Sequence, residues 1–358
     1  MTQTADNSSI LRPAPELVSI VVPVFNEGGN VAVLAAAVSD AMGQTPYELI
    51  FVDDGSRDDT FEQIESLIRR DGRVAGLALS RNFGHQYALS AGLRHARGQA
   101  VVMMDGDMQH PPALLPELIG KWRQGYNIVQ TVRNDADHTP LLKRLSSRAF
   151  YRVFSALCGI RMEPGMADFR LLDRTVADEL NRMNEGQLFL RGLLSWMGYR
   201  RALVPFDVAK RNSGRSKYSL RKMVRFAKAG IFAFSSVPLR VGIVIGLVMA
   251  GLSFLELGYV LVSYLRGETV AGWASIVAIM SLLFGVLFLV VGIQGEYIVR
   301  IYERVQHRPP FLIERHVGGK PADKRVPAEQ NDQFSMLNHH RSLNAQPSIL
   351  GEREPVDH

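Results

Sequence analysis

The chain has 358 residues, of which 47% are hydrophobic, and this is enough for one substantial folded core with appended elements. Its formal net charge of +6 favours an anionic partner, which can be a phosphorylated substrate, an acidic lipid surface or nucleic acid. The single cysteine, Cys158, excludes an internal disulfide, and the N-terminal residues show neither the basic start nor the apolar run of a secretory signal. We therefore expect residues 1–17 to form a flexible N-terminus and the domain that follows to stay in the cytoplasm.

Short apolar runs alternate with helical patterns from Val18 to about Arg133. The runs are VSIVVPVFN, YELIFVDD, VAGLALS, AVVMMDGD and YNIVQTVR, and the helical patterns begin at about Asn30, Asp59, His85 and Leu114. Strands that alternate with helices indicate an α/β fold with a mostly parallel sheet between two helical layers.

Polar residues follow each of these apolar runs. They are Asn26 and Glu27, Asp53 and Asp54, Arg81 and Asn82, Asp105 and Asp107, and Arg133. In an open parallel sheet, the ligand lies beyond the carboxyl ends of the strands. The placement of these residues therefore predicts an active site at that edge of the sheet.

The segment DGDMQHPP places Asp105 and Asp107 at the end of an apolar strand, on either side of a glycine. Two carboxylates suit a hard cation such as Mg²⁺ or Mn²⁺, which usually shares its ligand shell with substrate phosphates. We expect Gly106 to let a phosphate approach the backbone. The alternative is a loop whose acidic residues only cap the next helix.

The segment DDGSRDDT supplies a second acidic pair, Asp53 and Asp54, for which we predict hydrogen bonds to base and ribose hydroxyls. Ser56 and Asp59 resemble a capping box, so Asp58 and Asp59 are interpreted as structural.

Two apolar stretches, 239–264 and 273–298, each exceed the roughly 20 residues that span a bilayer, and they predict a transmembrane hairpin within residues 237–300. Basic residues before and after the pair place both ends in the cytoplasm by the positive-inside rule. Residues 219–236 are basic and amphipathic, which indicates an interfacial helix or, alternatively, an ordinary helix packed on the core. We expect residues 301–358 to be a cytoplasmic tail that is largely disordered from Pro309.

Six motifs occur in the order found in family-2 glycosyltransferases of the GT-A fold: PVFNEGGNV, VDDGSRDDT, LSRNFGHQYALSAGL, DGDMQHPP, MADFRLLDR and RNSGRSKYSL. The chain resembles most the polyprenyl-phosphate hexosyltransferases, which include bactoprenol glucosyltransferases and dolichol-phosphate mannose synthases. The resemblance covers about 18–217 and extends to the membrane hairpin. It implies a Rossmann-like GT-A domain over residues 18–218, followed by amphipathic helices and the two transmembrane helices.

The resemblance assigns roles residue by residue. For the nucleotide sugar it implies Pro23, Phe25, Glu27, Asp54, Asp105, Arg211 and Lys217, to which the acidic pair adds Asp53. Asp107 and Gln109 would bind the metal, Mg²⁺ or Mn²⁺, that bridges the diphosphate. Arg211 and Lys217 would neutralise the diphosphate, and the alternative is that they bind anionic lipid.

The family offers Asp168 as catalytic base, but the acceptor is a phosphate whose second pKa of about 6 leaves it largely ionised near neutral pH. Asp168 is therefore interpreted as a residue of the active site that either acts as a base or orients the sugar. The residues we expect to hold the acceptor phosphate are Arg133, Lys143, Arg144 and Ser147.

The expected reaction is a metal-dependent, inverting, single-displacement transfer of a hexose from a nucleotide diphosphate sugar to polyprenyl phosphate. UDP-glucose is favoured as the donor, and GDP-mannose is the alternative. The rival functions are a processive polysaccharide synthase and a catalytically silent membrane scaffold. We expect a homo-oligomer as a further partner, and no nucleic acid.

Several other polar residues are interpreted as supporting ones. His85 and His110 are expected to begin a helix or support the site rather than bind metal. Arg191 and Trp196 are expected to pack beside the acceptor. Glu256 lies within the first apolar stretch, where we expect a helix partner or an oligomer contact.

Overall fold

The computed structural model describes residues 11–134, 165–183, 190–207, 235, 237–267, 272–306 and 308–319. The strands are β1 Val18–Val24, β2 Tyr47–Asp53, β3 Val74–Leu79, β4 Ala100–Met103, β5 Ile128–Arg133, β6 Met166–Asp173, β7 Arg201–Phe206 and β8 Ile313–Gly318. The helices are α1 Gly28–Met42, α2 Thr60–Arg70, α3 His85–His95, α4 Leu115–Arg123, α5 Arg174–Arg182, α6 Leu190–Trp196, α7 Val237–Leu265 and α8 Trp273–Val305, with a short 3-10 turn at Pro112–Leu114.

The described strands form one mixed sheet in the order β7-β5-β6-β4-β1-β2-β3-β8. β1, β2, β3 and β4 run parallel to one another, as do β5 and β7, whereas β6 and β8 are antiparallel to their neighbours. The mostly parallel α/β sheet predicted from the sequence is confirmed. The chain order reverses between β1 and β4, where open α/β sheets hold their ligands.

Two helical layers cover the sheet, so the central strands are buried on both faces. α1, α2 and α4 contribute Leu34, Ile64 and Leu118 to the core on one face. α3 and α6 contribute Leu89 and Leu193 to the core on the other. The continuous apolar runs of the sequence follow from this double coverage.

The predicted start of the first helix was two residues late, because α1 begins at Gly28, directly after Glu27. The predicted capping box is wrong. The Ser56 hydroxyl donates to Asp53, and the Asp58 carboxylate accepts hydrogen bonds from the backbone and the hydroxyl of Thr60, the first residue of α2.

Two segments expected to lack structure are ordered where they are described. Residues 313–318, within the tail predicted to be disordered, form β8 and pair with β3. Arg12, within the N-terminus predicted to be flexible, forms a 2.9 Å ion pair with Asp173 and donates to the Tyr126 carbonyl at 3.1 Å. The predictions are wrong for these residues, because their partners lie far away in the sequence and leave no local periodicity, whereas residues 1–10 and 320–358 lie outside the described residues.

α7 and α8 contain the predicted hairpin. Within them, Val237–Ser263 and Leu282–Glu303 are long and apolar enough to cross a membrane, and only 6% and 0% of their apolar windows are buried. The core helix of a soluble protein would instead be mostly buried. Nearly all of the predicted interfacial helix, 219–236, lies outside the described residues.

Candidate active site

An open cleft of about 330 Å³ lies beyond the carboxyl ends of β1, β2 and β4. Its lining residues are Pro23, Val24, Phe25, Glu27, Asp54, Asn82, Gly84, His85, Asp105, Gly106 and Asp107. Most of the polar residues predicted from the strand ends therefore meet in one place. Phe25 is 43% exposed there, so its ring is free to contact a ligand.

The loop after β2 joins two neighbouring loops beneath this cleft. The Asp54 carboxylate accepts hydrogen bonds from the backbone N–H groups of Phe83, at 2.7 Å, and Gly84, at 2.9 Å. Asp53 accepts two hydrogen bonds from Ser56, is buried and is not among the residues that line the cleft. Asp54 thus lines the cleft and also fixes the loop after β3 through its hydrogen bonds. Asp53 instead stabilises the turn that lies behind the cleft.

Gly55 occupies the crossing point of these loops. Its φ is +73°, and a Cβ there would lie 2.6 Å from the backbone carbon of Arg81 and 2.7 Å from the backbone nitrogen of Asn82. Only glycine fits both the conformation and the space.

We expect Gly55→Ala to destabilise the domain by about 1–3 kcal/mol, because the new methyl group forces apart two loops that hydrogen bonds hold together. The measurement is thermal unfolding of the detergent-solubilised protein, followed by tryptophan fluorescence. Gly29→Ala is the matched control, since a Cβ at Gly29 meets nothing within 4 Å. Equal unfolding midpoints for the two variants would contradict the assigned role of Gly55.

The loop after β4 has an uncommon backbone at its centre. Met108 has a φ of +61°, which bulky residues rarely adopt, and the loop after β1 has the same feature at Asn26, with a φ of +55°. Such strain tends to occur at functional sites, where surrounding contacts maintain it. Asp107 accepts hydrogen bonds from the backbone and the side-chain amide of Gln109, at 3.1 and 2.7 Å. These bonds place the two predicted metal ligands side by side.

The structure gives Gly106 a packing role that was not predicted. A Cβ on Gly106 would lie 2.8 Å from Val24 Cγ1 and 3.3 Å from the Pro23 carbonyl oxygen. The glycine is therefore needed for the close packing of the loop on β1, and the approach of a phosphate to Gly106, which lines the cleft, stays a prediction.

His110 is buried beneath the loop after β4 and contacts Asp105. Its ring is fully buried and stacks on Phe169 with a centroid distance of 5.2 Å. The Asp105 backbone N–H donates to His110 Nδ1 at 2.9 Å, so Nε2 carries the proton and faces Asp105 Oδ2 at 3.5 Å. Burial lowers the pKa of His110 to about 3, which keeps the ring neutral, and burial raises the pKa of Asp105 to about 6. This geometry supports the prediction that His110 is not a metal ligand.

Asp168, on β6, forms the centre of an ionic cluster. Arg191 donates to both of its carboxylate oxygens, at 3.0 and 2.8 Å, and the fully buried Arg170 donates to one of them. Burial alone would raise the pKa of Asp168, but the charges of Arg170 and Arg191 outweigh it and hold the pKa well below its usual range.

The interpretation of Arg191 as a packing residue is wrong, whereas the packing of Trp196 beside the acceptor stays a prediction. Arg191 makes the bidentate ion pair with Asp168, and Trp196 is 62% exposed.

His85 lies between the carboxylates of Asp105 and Asp168, a central position in the site that was not predicted from the sequence. Its Nε2 atom lies 3.3 Å from Asp105 Oδ1 and 3.7 Å from Asp168 Oδ2, and its ring lines the cleft. His85 is also the first residue of α3, as predicted. Its position at the start of the helix that follows β3 was the available signal, because Asn82 in the same loop was predicted to be functional.

The described residues can bind a divalent cation only if a bound substrate supplies the rest of its coordination shell. Among them, no group of three or more His, Cys, Asp or Glu side chains is placed to hold a metal. Asp105, Asp107 and Gln109 offer oxygen donors, and Asp105 Oδ1 is a buried oxygen to which no described group donates a hydrogen bond. An incomplete, oxygen-only donor set of this kind suits Mg²⁺ or Mn²⁺ shared with a phosphorylated ligand.

The remaining predicted residues are described only in part. Arg133 is half-buried at the end of β5, and its backbone N–H donates to the Gly165 carbonyl at 2.9 Å. The other candidates lie outside the described residues: Lys143, Arg144, Ser147, Arg211 and Lys217.

The chain is similar to several known proteins. The sequence model described as "Glycosyl transferase family 2" matches residues 19–181. The chain is 39% identical over 305 residues to the glycosyltransferase YkcC of Bacillus subtilis, covering 84% of this chain and 94% of that protein. It is 38% identical over 307 residues to the SfII prophage-derived bactoprenol glucosyl transferase of Shigella flexneri, covering 85% and 99%. Among solved structures, it is similar to the mannosyltransferase PcManGT of Pyrobaculum calidifontis in complex with GDP-Man and Mn²⁺, with 17% identity, a TM-score of 0.44, and coverage of 84% and 86%.

Proposed function

Because the chain belongs to glycosyltransferase family 2, we propose that it transfers a hexose from a nucleotide diphosphate sugar to polyprenyl phosphate, with inversion and with the help of a divalent cation. The observation that carries the proposal is the combination of an acidic cleft at the sheet's switch point with two unburied apolar helices long enough to cross a membrane. UDP-glucose is the favoured donor, since relatives that align over most of the chain are named bactoprenol glucosyl transferases.

The cleft offers the groups that a nucleotide sugar requires. Phe25 presents an exposed ring face for the base, next to Pro23, while Glu27 and Asp54 present carboxylates for ribose hydroxyls. We assign Asp105 to the sugar, because its carboxylate lines the cleft and its Oδ1 atom lies beside His85 Nε2, at 3.3 Å, with no well-aligned hydrogen bond from a described group. Asp53 supports the turn from behind, and Arg211 and Lys217 are proposed for the diphosphate.

Asp107 and Gln109 are the residues proposed to hold the cation, Mg²⁺ or Mn²⁺. When bound, such a cation neutralises the charge that develops on the leaving diphosphate, which typically lowers a barrier by several kcal/mol. Gln109 holds the Asp107 carboxylate in one orientation through two hydrogen bonds, so the ligand pair is set before substrate arrives.

The acceptor needs no strong base. A phosphate oxygen forms a bond to the anomeric carbon on the face opposite the leaving group, and the C–O electron pair departs with the nucleotide diphosphate. Because the acceptor is already largely ionised near neutral pH, no proton has to be removed first. Asp168 instead acts as a fixed anion that, with Asp105, orients His85. The acceptor phosphate is assigned to Arg133, Lys143, Arg144 and Ser147.

The direct test is reconstitution of the full-length protein in liposomes with undecaprenyl phosphate and a panel of radiolabelled nucleotide sugars. We expect one donor to yield a lipid that carries a single labelled hexose. A growing polymer would identify a processive synthase instead, and the absence of both transfer and donor hydrolysis would indicate a scaffold.

The charge pattern around α7 and α8 leads us to propose that both termini are cytoplasmic in the inner or plasma membrane. We expect Arg266→Cys, in a protein whose Cys158 is replaced by serine, to react with a membrane-impermeant maleimide only from outside the cell. Arg266 is preferred to Gly267, because Gly267 has a φ of +72° that a cysteine would strain.

Gln306→Cys, near the end of α8, is the matched control and should react only after the membrane is opened. Reaction of the Arg266→Cys protein from the cytoplasmic side alone would reverse the proposed orientation.

A further inference from the structure

We propose that residues 311–318, here called the latch, fix the catalytic sheet to the end of the membrane hairpin and thereby position the cleft for a membrane-bound acceptor. This inference rests on the proposed function, because it concerns a lipid acceptor. The latch follows α8 closely: α8 ends at Val305 and β8 begins at Ile313, so only residues 306–312 lie between them. A link of this length spans at most ~25 Å even when it is fully extended.

The latch closes the edge of the sheet beside the cleft. β8 pairs with β3 from Gly318, opposite Ala75, to Ile313, opposite Leu79, and the pairing is shifted between Ala78 and Leu79. It continues one step further, because the Ser80 backbone N–H donates to the Leu312 carbonyl at 2.9 Å. Ser80 begins the loop whose Asn82 and Gly84 line the cleft. A hydrogen bond therefore joins the latch to the loop that forms part of the cleft wall.

Latch side chains contact both helical layers. Arg315 lies 4.2 Å from the ring centroid of Phe61 and 3.4 Å from the Glu65 carboxylate, both on α2. His316 meets His95 of α3 edge to face, with a centroid distance of 5.5 Å. A strand that contacts helices on opposite faces of a sheet resists both sliding and rotation.

The strongest anchor is Phe311, which is 8% exposed and belongs to the core beneath α3. The Arg94 guanidinium lies 5.1 Å from its ring centroid, which adds a cation–π contact to the apolar burial. Arg94 and His95 are both on α3, whose first residue, His85, stands between Asp105 and Asp168. One helix therefore joins the latch to the centre of the site.

α8 ends at Val305, only six residues before Phe311, so the latch joins α3 to the end of the membrane hairpin. If the latch detaches, the cleft loses its fixed place relative to the hairpin while its own residues stay assembled. We infer that the latch governs access of the cleft to an acceptor confined to the membrane surface.

The experiment compares two latch variants with matched controls in the full-length protein. Phe311→Ala removes the buried anchor, and its control is Leu312→Ala, since Leu312 is 43% exposed. Gly318→Ala places a methyl group 2.7 Å from the Val74 carbonyl oxygen, and its control is Gly267→Ala, which has the same φ of +72° and open space.

Three quantities are measured: affinity for UDP, transfer to undecaprenyl phosphate in liposomes, and transfer to a short, water-soluble isoprenyl phosphate. We expect the latch variants to lose at least about tenfold in transfer to the liposomal acceptor, because misplacement of a reacting group is costly. Affinity for UDP and transfer to the soluble acceptor should stay within about twofold of wild type. The controls should resemble wild type in all three.

Hydrogen exchange of the β3 amides supplies a readout independent of activity, and it should be faster in both latch variants. Equal losses in all three quantities would show that the latch only stabilises the fold and would overturn the inference. Unchanged liposomal transfer despite faster β3 exchange would overturn it as well. A wild-type protein that transfers to neither acceptor would refute the proposed function, and with it the positioning role.

Discussion

Asp107→Asn is expected to abolish transfer while the protein folds and inserts normally. The substitution is nearly isosteric, and the hydrogen bonds of Asp107 are made to Gln109, two residues away, so no distant part of the fold depends on its charge. What the variant loses is a charged oxygen ligand at the point where the leaving diphosphate accumulates charge. We expect a loss of at least about a hundredfold in kcat, the size found when a group that stabilises such charge is removed.

Metal titration tests this assignment. A chelator should abolish wild-type transfer, and Mg²⁺ or Mn²⁺ should restore it, whereas the variant should need more metal and recover little. Asp40→Asn is the matched control, because Asp40 is exposed near the end of α1 away from the cleft and loses the same charge. Full activity of Asp107→Asn in the presence of chelator would disprove both the metal site and the role of Asp107.

The site residues that could be predicted from sequence are those that directly follow a strand in the chain. β1, β2, β3 and β4 are continuous apolar runs because both of their faces are buried, and each is followed by polar residues. Parallel strands bring their carboxyl ends to the same edge, so Glu27, Asp54, Asp105 and Asp107 had to meet there. No knowledge of distant pairings was required.

The part that could not be predicted depends on contacts between distant segments. Asp168 meets Arg191, 23 residues later, and β8 meets β3 across the whole membrane hairpin. No sequence pattern around an arginine in a helix identifies its ion-pair partner, so Arg191 was interpreted as a packing residue. β8 has only six residues, and its pairing is irregular, so its alternation is too short to distinguish it from a loop.

Asp168→Asn is expected to reduce both stability and transfer. The carboxylate is the counter-ion of Arg170, which is fully buried, and of Arg191. Removal of one partner from a buried ion cluster leaves uncompensated charge and costs about 3–5 kcal/mol. Because the native pKa of Asp168 is depressed, the wild type has this stabilisation above the unfolded-state pKa of about 4 and loses it only as the pH falls further. We also expect transfer by the folded protein to fall about 10- to 100-fold, since His85 loses one of its two carboxylate neighbours.

Glu48→Gln separates these two effects. Glu48 is also buried and pairs with Arg97 at 2.6 Å, but it lies beside Ser19, at the end of the sheet opposite the cleft. This control should lose stability and keep its transfer rate per folded molecule.

The pH profile then distinguishes a positioning anion from a base. The pKa of Asp168 is held well below its usual range, so a change of rate near pH 6 belongs to the acceptor phosphate or to Asp105, whose pKa burial raises to about 6, and not to Asp168. Asp168→Asn should therefore keep the shape of the wild-type profile at a lower rate. If the variant instead loses the rise in rate near pH 6, then Asp168 is the group that removes a proton, and its strong pairing with Arg170 and Arg191 must be broken when the acceptor binds.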